Sequence, residues 1–228
     1  MKSEIIVTEK EDTVLLLDEL LLKRDEEWWT NFYNDKTKHP PFLIDKPDES
    51  LVRFINSNLI HPNSRILELG CGNGRNSIWL AENKYYVDAI DFSRTAISSA
   101  KNKIKNKNMT VNFYCESIFT HNYKSPKYDM VYDCGCFHHI PPHRRPMYID
   151  IVTNNLETSC YYLLVCFNEL GGSSLTDLQV YEEKSLKGGM AFSEDKLQSI
   201  FAKSFDLIDL RTMNEEEESS EYFGKNFL

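Results

Sequence analysis

The chemistry in this 228-residue chain is concentrated in a few stretches. The first is Ile66-Leu67-Glu68-Leu69-Gly70-Cys71-Gly72-Asn73-Gly74-Arg75-Asn76. It joins an apolar run, an acid, a G-x-G-x-G loop and a helix start without a gap. Glycines permit positive φ and let a ligand lie against the main chain. A loop that leaves a strand and enters a helix is expected to turn free amide N–H groups and the positive helix end toward whatever binds. Asp91 follows about twenty residues on, the spacing at which an acid accepts both ribose hydroxyls of a nucleoside. It could equally cap the helix that starts at Ser93. Phe92, next to it, is suited to lie against adenine. A third stretch, Tyr128 to Pro141, packs Asp133, Cys134, Cys136, His138 and His139 into a few residues. The histidine types admit a metal site, although no carboxylate or thiolate spacing completes one. They also admit a general base, since imidazole titrates near neutral pH, or a pair in which one ring orients a loop and the other lines a pocket.

These residues need elements to hold them, and the chain alternates strand and helix from Arg65 onward. Strands are expected at Arg65–Leu69, Tyr85–Ile90, Val111–Cys115, Tyr128–Tyr132, Tyr161–Phe167 and Phe205–Leu210. Helices fall between them at 73–82, 93–105, 144–156 and from Ser193. Tyr161–Phe167 is a continuous apolar run, as expected of a strand buried on both faces. Tyr222–Leu228 begins like a seventh, antiparallel strand and stops, so that strand is either short or truncated. The implied architecture is α/β: a Rossmann-like three-layer αβα sandwich with a mostly parallel, seven-stranded sheet. Ligands in such sheets bind beyond the carboxyl ends of the strands. Residues 1–58 form an N-terminal helical cover and residues 59–228 the ligand-binding domain. In the cover, an amphipathic helix carries Val14 to Leu22, and a second carries Trp28, Trp29, Phe32 and Tyr33. Trp29 and Tyr33 share a face, either packed on the sheet or laid over a ligand. His39-Pro40-Pro41-Phe42 is a stiff crossing, and Asp48 caps a helix through Leu51, Val52 and Ile55.

The glycine loop departs from the dinucleotide fingerprint, because its third glycine comes one residue early. With an acid two residues before the first glycine, it resembles motif I of the class I S-adenosylmethionine (SAM)-dependent methyltransferases. Asp133-Cys134-Gly135-Cys136-Phe137-His138-His139-Ile140-Pro141 resembles the fourth-strand motif of the small-molecule branch, the tellurite-resistance, thiopurine and thiol/halide methyltransferases. The resemblance covers about Arg65 to Asn168. It implies SAM as cofactor, held by Glu68, Gly70, Cys71, Gly72, Gly74 and Asp91, with Phe92, Ser117, Ile118 and Cys134 around adenine and sulfonium. The usual acid after the third strand is replaced, leaving Ser117 or Glu116 as candidates for the adenine contact. The pocket candidates are Trp29, Tyr33, Phe137 and His138. An aromatic face would attract a sulfonium. No catalytic residue is assigned; His138 and His139 are the candidates. Methyl transfer from a sulfonium is direct and needs no covalent enzyme intermediate, so Cys134 and Cys136 read as small packing residues. Without an obvious base, a thiol or other soft nucleophile is the fitting acceptor, since a thiol ionises near pH 8.5. The pattern that grips an exocyclic amine, Asn/Asp-Pro-Pro-aromatic, is missing.

Composition narrows the partners. Against 26 Lys and Arg stand 35 Asp and Glu, a net charge of −9. Such a chain has no global attraction for phosphate backbones, so a small molecule rather than nucleic acid is expected. Lys101, Lys103, Lys105 and Lys107 read as a solvated helix face or a phosphate patch. Six cysteines without a C-x-x-C pair suggest reduced thiols and a cytoplasmic setting. No signal pattern opens the chain, and the longest apolar run, Cys160–Phe167, is too short to span a bilayer. No metal is expected. The insertion from Asn168 to Met190 is either a surface loop or a lid. Alternatives to the small-molecule enzyme are a non-catalytic SAM-binding sensor or partner subunit, a macromolecule methyltransferase and a dinucleotide oxidoreductase.

Overall fold

The computed structural model describes residues 5–21, 26–35, 37, 43–124, 126–217, 219–225 and 227. The crossing at His39-Pro40-Pro41-Phe42 and Leu22, the end of the first expected helix, lie outside the described residues. The element order is α1 (Lys10–Leu20), α2 (Glu26–Asn34), α3 (Glu49–Asn56), β1 (Arg65–Leu69), α4 (Arg75–Glu82), β2 (Tyr86–Asp91), α5 (Arg94–Ile104), β3 (Val111–Cys115), β4 (Tyr128–Cys134), α6 (Arg145–Asn155), β5 (Leu156–Val165), α7 (Asp177–Glu182) and α8 (Glu194–Phe201). Asp48, Ser93 and Ser193 cap α3, α5 and α8 by accepting from Leu51, Ala96 and Lys196 backbone N–H groups, as short polar side chains do at helix starts.

The strands form one parallel sheet in the order β3-β2-β1-β4-β5. Alternation along β1 explains its three layers. Ile66 enters a core shared with Leu51, Leu80 and Ala100, from α3, α4 and α5. Leu67 and Leu69 enter the opposite core, shared with Tyr148, Val152 and Leu197 from α6 and α8. Because α3 buries Leu51, Val52 and Ile55, the last part of residues 1–58 belongs to the body. None of the residues of α1 or α2 is buried.

The sheet has five strands among the described residues, not the seven expected. Phe205–Leu210 joins no ladder among the described residues. Phe205 and Leu210 pack against the core, while Leu207 and Ile208 stay 60% and 72% exposed. The C-terminal stretch contributes isolated bridges in place of a strand: Phe227 pairs antiparallel with Phe167, and Phe223 pairs with Asp48. Asn226 and Leu228 lie outside the described residues. With no further strand beyond it, β5 is the sheet's edge. It is therefore half-buried along most of its length instead of covered on both faces, and it starts earlier than expected, at Leu156.

Gly74 shows how the glycine loop meets the core. Its φ is +79°, and a Cβ there would stand 2.8 Å from Phe113 and 2.9 Å from Ala100. Left-handed strain and overpacking then add. Gly74→Ala is expected to cost about 2–4 kcal/mol, measured as a lower urea midpoint with an unchanged denaturant slope.

Candidate active site

The strand order reverses between β1 and β4, and connections there leave a crevice at the carboxyl ends. A cavity of about 770 Å³ occupies it, within the range of about 300–1,000 Å³ usual for small-molecule sites. Every strand delivers a residue to its wall at or just past its carboxyl end: Gly70 after β1, Asp91 in β2, Glu116 after β3, Cys134 in β4 and Phe167 after β5.

The glycine loop is shaped from within. Gly70 and Cys71 N–H both donate to the Ile90 carbonyl at 2.9 and 3.0 Å, and Gly74 N–H donates to Cys71 at 3.0 Å. Gly72 N–H donates to Asp91 Oδ2 at 2.9 Å, while Ser93 N–H donates to Oδ1 at 2.8 Å. These amides are thus spent inside the protein. The loop therefore offers a ligand close backbone approach at these four positions in place of free N–H groups. Gly72 has φ +55°, and the Tyr33 hydroxyl comes within 2.6 Å of where its Cβ would be.

Burial sets the charge state of the wall. It pushes Asp91 up to about 6 and Glu68 up to about 8, although the Ser77 hydroxyl hydrogen-bonds Glu68 and opposes the shift. Asp133, at the floor behind the histidines, is raised to about 7 by burial. Its Oδ1 accepts from Cys136 and Phe137 N–H at 2.8 and 3.3 Å, and the Tyr148 hydroxyl donates to Oδ2 at 2.5 Å. Asp133 therefore fixes the turn that carries His138 and His139.

His138 is buried, stacks on Phe167 with ring centroids 3.7 Å apart, and accepts the Phe167 N–H on Nδ1 at 3.2 Å. That bond places the ring proton on Nε2, so Nδ1 is not available to take a proton. His139 meets Trp29 edge-on at 4.9 Å. Of the expected site residues, Trp29, Tyr33, Glu68, Gly70, Cys71, Gly72, Asp91, Phe92, Ser117, Ile118, Cys134, His138 and His139 all line the cavity. Two do not. Gly74 faces Phe113 and Ala100. Phe137 is fully buried among Tyr148, Phe192 and Phe201; the 3₁₀ turn it opens sends it into the core while His138 and His139 reach the wall.

Sequence reasoning passed over four charged wall residues: Arg75, Asp18, Arg144 and Glu26, the last paired with Arg94. Arg75 opens α4, donates to the Lys46 carbonyl at 3.0 Å and to Cys134 Sγ at 3.3 Å, and stacks on Phe223. A cation at a helix start opposes the helix dipole, and that oddity was its signal. Asp18 and Arg144 pair with each other across 126 positions, which no local pattern reveals. Among the described residues, no group of three or more His, Cys, Asp or Glu side chains is placed to hold a metal ion. No helix among them is long and apolar enough to cross a membrane.

A parallel sheet in this order, with an acid-flanked glycine loop and a second acid at its crevice, defines a class I methyltransferase fold. One solved protein of that fold, described for the conversion of a disulfide bond into a thioacetal group during echinomycin biosynthesis, matches with TM-score 0.62 at 23% identity over 78% of each chain. An uncharacterized methyltransferase of Schizosaccharomyces pombe is 31% identical over 135 residues, which is 59% of this chain and 92% of the relative. The ubiquinone biosynthesis O-methyltransferase of Coxiella burnetii is 24% identical over 120 residues, 53% of this chain and 49% of its own. The chain thus spans about half the length of these Coxiella relatives. The profile of the thiopurine S-methyltransferase (TPMT) family matches residues 24–173. The chain belongs to that family, whose cofactor is SAM.

The wall suits that cofactor. Asp18, Glu26, Asp91 and Glu116 outnumber Arg75 and Arg144, an imbalance that favours a sulfonium cation. Before any ligand binds, Glu68 is held protonated near neutral pH. Its folded-state value lies above the ordinary 4.5, so its contribution to stability is full below pH 4.5 and is lost as pH rises through about 8. Melting temperatures of the ligand-free protein should fall across that window, and Glu68→Gln should flatten the fall.

Proposed function

We propose that this protein transfers the SAM methyl group to a small-molecule acceptor, a thiol or other soft nucleophile, by direct in-line displacement. The observation that carries the reading is Asp91: a buried carboxylate at the end of β2, on the cavity wall, tied to the glycine loop. In that position it accepts ribose hydroxyls, while Glu116 and Ser117 stand at the next strand end for the adenine edge. Phe92 and Ile118 supply apolar faces, and the Arg75 guanidinium is suited to a carboxylate.

When bound, SAM supplies an electrophilic methyl carbon with a neutral thioether as leaving group. The protein needs no acid for that departure. Its tasks are alignment, exclusion of water and a field that matches the sulfonium. Trp29 and Tyr33 close the cavity from α2 and exclude water. Glu68, held protonated near neutral pH by burial, would ionise beside a bound cation, its proton passing to solvent, and would make the wall more negative. With His138 Nδ1 occupied by a backbone N–H, an acceptor that reaches the site already ionised is the one the wall serves best. Thiols meet that requirement. Six free cysteines support a reducing, cytoplasmic setting.

Calorimetry with SAM, its demethylated product and NAD(H) tests the cofactor. Asp91→Ala should weaken SAM by about tenfold or more, the loss of one to two good hydrogen bonds. NAD(H) binding without SAM binding would remove the reading. In turnover assays, thiols should exceed their matched alcohols. Tight SAM binding with no turnover on any acceptor would favour a SAM-binding sensor.

A further inference from the structure

The cavity is covered on one side by the N-terminal helices and on another by the insertion, whose Ser185, Leu186 and Gly188 reach the wall. One hydrogen-bonded group joins the two. Asp18, on α1, accepts from Arg144 Nε at 2.9 Å and from Arg144 Nη2, and it meets His143 Nε2 at 3.0 Å. The other nitrogen of His143 meets the Tyr181 hydroxyl of α7 at 2.8 Å, and that hydroxyl also accepts the His143 N–H at 3.0 Å. The Arg144 guanidinium lies over Phe119 on the cavity wall at 4.8 Å. All of this is shielded, with side-chain exposures of 15% for Asp18, 6% for His143 and 18% for Arg144.

Elsewhere α1 is loosely attached. None of its residues is buried, and Leu15, Leu16 and Leu20 are 51%, 39% and 43% exposed; its apolar anchor is Leu21, just past its end, which enters the core. Its first-turn polar bonds stay within the helix start, from Thr8 and Glu9 to Asp12. The insertion has the complementary asymmetry. The start of α7 is pinned, because Asp177 pairs with Arg145 and Lys196 at 2.7 and 3.2 Å. Its end, which leads to the wall residues, is tied to the body's 142–145 corner through Tyr181.

We propose that Asp18, clasped by Arg144 and His143, is a latch that fastens α1 and the Tyr181 end of α7 into a single cover, so that both sides of the cavity open together. Charge-assisted bonds are the strong ones in such a clasp, and a cover whose buried apolar anchors are as few as Leu21 and Val180 opens below the global stability. What passes beneath the cover rests on the function proposed above; the coupling itself does not.

Hydrogen exchange on the ligand-free protein tests the coupling. Asp18→Asn keeps the shape and removes the charge. It should raise exchange by about tenfold in both 10–21 and 181–188, with 65–69 and 128–134 unchanged. Tyr181→Phe should raise exchange in 10–21, which Tyr181 reaches by hydrogen bonds through His143. The two substitutions combined should fall short of additivity. Faster exchange in 10–21 alone, or no change in either segment, would overturn the latch. Should Asp18→Asn loosen the sheet as well, Tyr181→Phe decides: no change in 10–21 overturns the proposal. The SAM product is titrated in parallel. Failure to bind it would remove the proposed function and leave the exchange result standing.

Discussion

The bond from Gly72 N–H to the Asp91 carboxylate ties the end of β1 to the end of β2, and the site is arranged around it. Without it, a loop of three glycines at positive φ would have no single conformation, because glycine loses more freedom on folding than any other residue. The same carboxylate receives Ser93 N–H, so one side chain sets the loop, the strand end and the start of α5. Asp133 plays the equivalent part at β4, where backbone donors from Cys136 and Phe137 hold the histidine turn. Two acids on neighbouring sides of the crevice thus convert flexible loops into walls.

Burying acids in this way has an electrostatic cost that the ligand offsets. Glu68, Asp91 and Asp133 are all raised by desolvation. A carboxylate taken out of water resists ionisation unless a positive group comes close. In the binding mode proposed above, the cationic cofactor provides that group for Glu68 and Asp91. Affinity and folded-state ionisation are therefore two sides of one linkage, and the ligand-free protein is poised to take up positive charge.

The sequence made β1 to β4, the capped helices and the glycine loop legible because each is specified locally. Asp48, Ser93 and Ser193 announce their helices from the position just before each, and β1 needs only its alternation. The sheet's far side was not legible. Phe205 to Leu210 has the composition of a strand, but Phe205 and Leu210 pack on the core while Leu207 and Ile208 face solvent, and pairing with a sheet edge is not written in local composition. Phe137 reads as a pocket residue beside His138, yet a 3₁₀ turn divides their directions. The Asp18–Arg144 pair joins residues 126 apart, and long-range electrostatics leaves no periodicity in a sequence. Arg75 was visible only as a charge on the wrong end of a helix.

The cavity is assembled from two kinds of material. Its cofactor half comes from strand ends locked into the sheet by parallel ladders. Its opposite half comes from α2 and the 168–190 insertion, segments that enter and leave at the margin and contribute no strand to the sheet. Exchanging those segments would leave every hydrogen bond of the glycine loop in place. Such a division lets acceptor preference drift among descendants of one scaffold while methyl-donor recognition is conserved, since selection can rewrite the margin without refolding the centre.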